Sequence, residues 1–375
     1  MVRLLHTADF HLGKQFPSLR DKAGEYRNQL LRTFEKVADL AITEKVSLLL
    51  IAGDLFDTSR VYGLTIGKVL AAFAKLEAAG IRVCIIPGTH DAYNENSIYR
   101  SLHFPENVTV FTPEYSQQTY EELDVTVYGM VSDSKSWGNS PLSGLSLSGK
   151  SRFHVGMAHC YIKRAGMIES DAMILDKAEI ASSELDYLAL GHWHSFHDFS
   201  QGGTACACYS GSPEPIDMDQ KGAGNVVMVT LYDKNKVEFR PIRVGTKKCE
   251  SIALDVSPYE SADSIAKMIE ARSDPNLILK VTLTGLSSMD YDLNSEEIEN
   301  TLGGHFFTLR ISDESHPKLE KVKSQNYPEK TVVGRFLRIM EEKIAAASNE
   351  EDKALYEEAL KLGFALLQGR SQAIK

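Results

Sequence analysis

The chain has 375 residues, 43 % of them hydrophobic and 25 % charged, with a formal net charge of −10. A single hydrophobic core stops growing near roughly 250–300 residues, so at least two domains are expected, and the acidic balance argues against a protein that grips nucleic acid by bulk electrostatics. Five cysteines (Cys84, Cys160, Cys206, Cys208 and Cys249) without C-x-x-C spacing indicate neither a disulfide framework nor a thiolate zinc site. No basic-then-apolar leader and no run of about 18 uncharged apolar residues is present, so a soluble cytoplasmic protein without a membrane segment is expected.

Three short apolar runs open the chain: RLLHTAD (3–9), SLLLIAGD (47–54) and IRVCIIPG (81–88). Between them lie two segments with helical spacing, one through Leu30, Phe34, Val37 and Ala41, the other through Ile66, Val69, Phe73 and Leu76. The order β-α-β-α-β with continuous apolar strands predicts a largely parallel sheet covered on both faces. After Gly88 strands dominate: VTVYGM, RFHVGMAH, DYLALGHWH, TACACYSGS, NVVMVTLY and KVEFRPI, with one helix near 175–183. Two sheets face to face with helices outside are expected. The Ser- and Gly-rich stretch 132–149 reads as mobile surface loop.

The pattern breaks between Arg243 and Cys249. SIALDVS, SADSIAKMIEAR, LILKVTLTG, NSEEIENTLGG and FFTLRIS then predict a small α/β module, alternating strand and helix. From Thr331 two amphipathic helices follow, one through Val333, Phe336, Leu337, Met340 and Ile344, the next through Leu355, Ala359, Leu362 and Leu366, started by Asn349 and the acids Glu350, Glu351 and Asp352. The predicted domains are 1–245, 246–325 and 326–375.

Polar groups collect where the apolar strands end. Asp9 and His11 follow the first strand, Asp54 and Asp57 the second, Thr89, His90 and Asp91 the third; His159 ends a later strand, and His192 and His194 follow another. In open α/β sheets ligands bind beyond the strand carboxyl ends. Taken singly, D-x-H is a turn with a bonded histidine, G-D is a cap, and G-H-W-H is two histidines around a core Trp193. Taken together, carboxylates and imidazoles without thiolates suit manganese, iron or zinc rather than magnesium or calcium. They are too many for one tetrahedral ion and match two ions about 3.5–4 Å apart sharing a carboxylate, an arrangement that acts on phosphoryl centres. His6 and His154 lie inside strands and read as structural.

The ordered motifs HTADFHLG, AGDLFDT, PGTHD, ALGHWH and YSGSPEP resemble those of the calcineurin-like metallophosphoesterase superfamily, and in their longer forms its SbcD-like DNA double-strand-break-repair exonucleases, over residues 1–243. The resemblance implies an αββα two-sheet sandwich bearing a small α/β capping domain and a C-terminal helical pair. It also implies a metal-dependent DNA phosphodiesterase with two divalent ions, Mn2+ in the first place, and a two-metal-activated hydroxide as nucleophile. Carried over by position, Asp9, His11 and His194 would bind one ion, Asp54 would bridge, and Thr89, His159 and His192 would bind the other. His90 would protonate the leaving oxygen, oriented by Asp57. DNA and a chromosome-maintenance-type, SbcC-like ATPase are the implied partners, the C-terminal helices being the docking element; a homodimer through those helices is the alternative.

One position departs from the family pattern. Thr89 stands where asparagine is usual, and a hydroxyl is a weaker, shorter neutral ligand than an amide oxygen. Three further readings of the same core remain open: a phosphomonoesterase, a small-molecule or nucleotide diesterase, and a catalytically weak DNA-end-binding scaffold. Monoesterase relatives place arginines where this chain has Thr58 and Pro87. That difference favours a diester.

Overall fold

Strand β1 (Val2–Thr7) is buried along nearly its whole length, because it is hydrogen-bonded on both edges and covered on both faces. The computed structural model describes residues 1–132, 137–147, 150–163, 172–200, 206–217, 221–234, 236–287, 293–317 and 327–367. After β1 come α1 (Ala23–Thr43), β2 (Leu48–Ala52), α2 (Gly63–Ala78), β3 (Arg82–Ile86), α3 (Ile98–Ser101), β4 (Val108–Val110), β5 (Gln117–Tyr120) and β6 (Val125–Met130). Then follow β7 (Phe153–Ile162), β8 (Met173–Leu175), α4 (Lys177–Ser182), β9 (Tyr187–Gly191), β10 (His197–Asp198), β11 (Cys206–Tyr209), β12 (Asn225–Asp233) and β13 (Lys236–Arg243).

The first sheet has the order β13-β12-β1-β2-β3-β4. Strands β1 to β4 run parallel, so the chain leaves β1, β2 and β3 at the same edge. The second sheet runs β10-β11-β9-β7-β6-β5, with β6, β7, β9 and β11 parallel and β8 added to the end of β7. One shared core joins the two: Leu4, Leu48, Leu50 and Cys84 from the first sheet meet Val127, Val155, Tyr187 and Cys208 from the second. The alternate residues of the first sheet, Leu5, Leu49, Ile51, Val83 and Ile85, are equally buried. Helix α1 buries Tyr26, Leu30, Phe34, Val37 and Ala41 at helical spacing, and Phe34 packs edge-on against Phe10 and Phe73. This is the two-sheet α/β sandwich that the element order predicts.

On the outer face of the second sheet, Tyr128, Cys160, Leu188 and Leu190 pack with Ile180 of α4. Leu142, Leu145 and Leu147 join that cluster, so the described part of the expected surface loop is anchored by its leucines. Residues 133–136 and 148–149 of that stretch lie outside the described residues.

The chain divides into two compact units, Met1–Cys249 and Glu250–Lys375, with β14 (Lys248–Asp255) running across the division. In the second unit come α5 (Ala262–Glu270), β15 (Asp274–Thr284), β16 (Leu286–Ser287), α6 (Ser295–Leu302), β17 (Phe306–Asp313), β18 (His316–Pro317), α7 (Val332–Ala345) and α8 (Glu350–Leu367). Its sheet has the order β14-β15-β17, and Ile265, Ile269, Ile298 and Leu302 of its helices close one core over Leu279, Val281 and Leu309. Helices α7 and α8 pack through Phe336, Leu337, Met340, Tyr356, Leu360 and Phe364. The boundary expected at 325–326 falls in 318–326, outside the described residues. Among the described residues no helix is long and apolar enough to cross a membrane.

Candidate metal centre

The centre is built on strand ends. Residue partnering aligns Thr7 with Ile51 and Ala52 with Ile86, so the turns carrying Asp9, Asp54 and Thr89 emerge side by side. In the second sheet His159 is the register partner of Gly191, which brings His159 beside the following His192. The two sheets are tied at this edge by His159, whose Nδ1 lies 2.9 Å from the carbonyl oxygen of Ala52.

Tight turns force the polar groups inward. Asp9, His11, Asp54 and His192 all adopt positive φ, a conformation that costs an L residue on the order of 1–3 kcal/mol and persists where surrounding contacts over-determine it. Those contacts are present: Asp9 N donates to Gly53 O and His11 N to Asp54 O, each at 3.0 Å. Two glycines make the room. A Cβ on Gly53, at φ +93°, would lie 2.1 Å from Nδ1 of His159, and one on Gly88 would lie 2.2 Å from Oδ1 of Asp54.

All nine predicted side chains belong to one contact network. Asp54 is at its middle: Oδ1 accepts from His90 N at 2.8 Å, and Oδ2 lies 3.2 Å from His159 Nε2, 3.4 Å from Thr89 Oγ1 and 3.6 Å from His11 Nε2. Both Asp9 oxygens are 3.1 Å from the His192 amide, with His159 Nδ1 at 3.9 Å and His194 Nε2 at 4.0 Å from Oδ1. Asp9 and Asp54 are almost wholly buried, whereas the His90 side chain is 48 % exposed. His6 bonds Tyr187 Oη through Nδ1 in the core, and the ring of His154 sits beside Tyr128.

Charges in this network are mutually dependent. Burial pushes the Asp54 carboxyl up, but the charges of His159 and His11 outweigh it and hold the group far below the usual carboxylate range. Burial raises the Asp9 carboxyl against the pull of His159 and His194. His159 is opposed by burial and yet raised to about 9 by Asp54, while burial and the neighbouring His159 push His192 down to about 3.

The donor set fits divalent cations. Imidazole nitrogens face each other in two pairs, His11 Nε2 to His194 Nε2 at 3.3 Å and His159 Nε2 to His192 Nδ1 at 3.1 Å. His11, kept neutral by burial, turns Nδ1 to Asp57, so its inward Nε2 carries a lone pair; His159 turns Nδ1 to the Ala52 carbonyl, and its inward Nε2 would give up its proton to a bound cation. Imidazoles facing one another beside two buried carboxylates are a donor set suited to positive charge. Asp9, His11 and His194 form one group with ligand atoms close enough to share an ion, and Asp9, Asp54 and His159 another.

Two placements were not visible in the sequence. The Asp57 carboxylate lies 3.0 Å from His11 Nδ1 and 3.8 Å from His90 Nδ1, whose nearer acceptor is the Asp57 backbone oxygen at 3.3 Å. Oδ2 of Asp217 lies 3.3 Å from His194 Nδ1. Asp91 is buried and accepts from Phe56 N, Gly88 N and Tyr99 Oη at 3.0, 2.6 and 2.5 Å. It holds the turn that presents Thr89 and His90.

A family model described as calcineurin-like phosphoesterase matches residues 2–196. The chain is 24 % identical over 278 residues to the uncharacterized metallophosphoesterase YhaO of Bacillus subtilis, covering 72 % of this chain and 67 % of that one. It is 22 % identical over 364 residues to the DNA double-strand break repair protein Mre11 of Sulfurisphaera tokodaii, covering 94 % and 92 %. With the SbcD component of the nuclease SbcCD from Escherichia coli K12 it shares 23 % over 274 residues, 63 % and 66 % of the two chains.

Proposed function

The chain belongs to the calcineurin-like phosphoesterase family, and from that premise we propose that it is a manganese-dependent phosphodiesterase acting on DNA, the nuclease subunit of a repair complex. What carries the diester reading is the absence of a dianion clamp at the two positions where monoesterase relatives have arginine. Pro87 has no polar side chain, and the Thr58 hydroxyl is spent in its own turn, bonded to the backbone of Arg60. A phosphodiester carries one charge and needs less clamping than a monoester. The names of the Mre11 and SbcCD relatives support nucleic acid as the substrate.

In this reading Asp9, His11 and His194 would hold one ion and Thr89, His159 and His192 the other, with Asp54 available to both. Two divalent ions, once bound, supply an activated water and neutralise charge at phosphorus. His90 is the group left free to meet substrate: its amide is bound to Asp54, its Nδ1 faces the Asp57 carbonyl, and Nε2 remains to protonate the leaving oxygen.

The α/β module of 246–325 is proposed as a capping domain, and the helices of 326–375 as the docking site of an SbcC-like ATPase. Val332 and Ile339 on α7, and Leu355, Leu362 and Leu366 on α8, are exposed at seven- and four-residue spacings, an apolar stripe that a second helical protein would cover. A homodimer through the same stripe is the rival occupant.

The net charge of −10 favours one other substrate, a small nucleotide diester that needs no basic groove. Hydrolysis of linear duplex DNA and of a cyclic nucleotide, compared in the same Mn2+ buffer, separates the two. Cleavage of the cyclic nucleotide alone would move the assignment.

A further inference from the structure

We infer that Asp217 is a positioning residue for His194, holding the Nδ1 side of its ring so that Nε2 faces the metal centre; this rests on the reading of His194 as a ligand.

The geometry repeats at three imidazoles. His11 has Asp57 at 3.0 Å from Nδ1, and His159 has the Ala52 carbonyl at 2.9 Å from Nδ1, each with Nε2 turned inward. His194 has Asp217 Oδ2 at 3.3 Å from Nδ1, while its Nε2 lies 3.3 Å from His11 Nε2 and 4.0 Å from Asp9 Oδ1. An acceptor on the outer nitrogen fixes the tautomer and the ring angle and makes the inner nitrogen a stronger donor.

The segment that carries Asp217 is fastened for this task. Ser212 donates to the His194 carbonyl from its amide at 3.0 Å, so the segment begins against the backbone of the residue it serves. Glu214 is buried and accepts from Gln29 Nε2, Thr33 Oγ1, Thr246 N and Lys247 N at 2.7–3.1 Å. Tyr26 Oη donates to the Pro215 carbonyl at 2.5 Å, and Ile216 is buried. The chain is thus pinned at Ser212, Glu214, Pro215 and Ile216 and delivers Asp217, itself 58 % exposed, to one imidazole nitrogen. An exposed side chain contributes little to the stability of the fold, which leaves the orientation of His194 as its effect.

The test is calorimetric titration of Mn2+ into the metal-stripped full chain, native and with Asp217→Ala, Asp217→Glu or His194→Ala. Expected are two binding events in the native chain, and in Asp217→Ala a weakening of roughly 10–100-fold in one of them, the event that His194→Ala also impairs. The other event and the thermal midpoint of the metal-free protein stay as they were, and Asp217→Glu recovers part of the affinity. Unchanged affinities in Asp217→Ala overturn the inference alone. Equal weakening of both events with a lowered midpoint also overturns it, since that marks a structural role. A native chain that binds no Mn2+ overturns the metal-centre reading and this inference with it.

Discussion

Asp57 and His11 are joined by a 3.0 Å contact from Oδ1 to Nδ1, and that contact sets the carboxylate behind a candidate metal ligand. The family resemblance alone assigns Asp57 to His90. If the His11 contact governs, Asp57→Ala weakens the first Mn2+ by roughly 10–100-fold and leaves most of the turnover at saturating metal. Metal titration paired with turnover at saturating Mn2+ decides. Unchanged affinity with turnover reduced by orders of magnitude returns the carboxylate to His90.

Thr89 is the weak place in the proposed ligand set. Its hydroxyl lies 3.4 Å from Asp54 Oδ2, within the network but on a short side chain. Thr89→Asn places an amide oxygen one atom further out and is expected to tighten the second Mn2+ by roughly tenfold, about 1.4 kcal/mol. Equal stoichiometry and affinity in the two proteins would remove position 89 from the ligands.

His6 makes the first unit acid-sensitive. It is fully buried, with Tyr187 Oη 2.8 Å from Nδ1, and burial lowers it from 6.5 to about 3. Between those values the unfolded chain binds a proton that the folded chain refuses, so stability contributed by neutral His6 is present above pH 6.5 and is lost as pH falls toward 3, about 5 kcal/mol in all. His6→Gln has no such proton. The stability difference between native and His6→Gln proteins, followed by denaturant unfolding of the metal-free chains, should narrow from pH 7 to pH 4; a constant difference would contradict this.

The exposed leucines of α8 test the partner proposal without disturbing the α7–α8 core, which uses Leu360 and Phe364. Leu355→Asp with Leu362→Asp should abolish capture of an SbcC-like ATPase and leave Mn2+-dependent cleavage of a small diester at its native rate. Retained capture would place the partner elsewhere. Loss of self-association instead would identify the homodimer.

What was legible in the sequence follows from where the information is local. Apolar runs such as SLLLIAGD and IRVCIIPG announce strands and, in the same few residues, the polar groups that leave them, so the sandwich and the meeting of Asp9, Asp54 and His159 at one edge could be read from motif order. Which partner a side chain takes is a tertiary matter. Asp57 stands three residues after Asp54 whether it serves His11 or His90, and only the packed turns place it nearer His11. Asp217 lies 23 positions from His194 in an unremarkable polar stretch, and nothing short of the folded segment 212–217 brings the two together. The leucines at 142, 145 and 147 were hidden by the serines and glycines around them, although they pack, partly buried, against the cluster on the second sheet.

On the proposed function, His90 is the acid when this centre hydrolyses a phosphodiester. The most direct measurement is Mn2+-supplemented digestion of linear duplex DNA by the native chain and by His90→Ala, with bound metal determined in both. Equal metal content and a turnover lower by about 10²–10⁴-fold are expected in His90→Ala. Native and His90→Ala proteins that bind the same metal and behave alike toward DNA, both inert or both equally active, would contradict it.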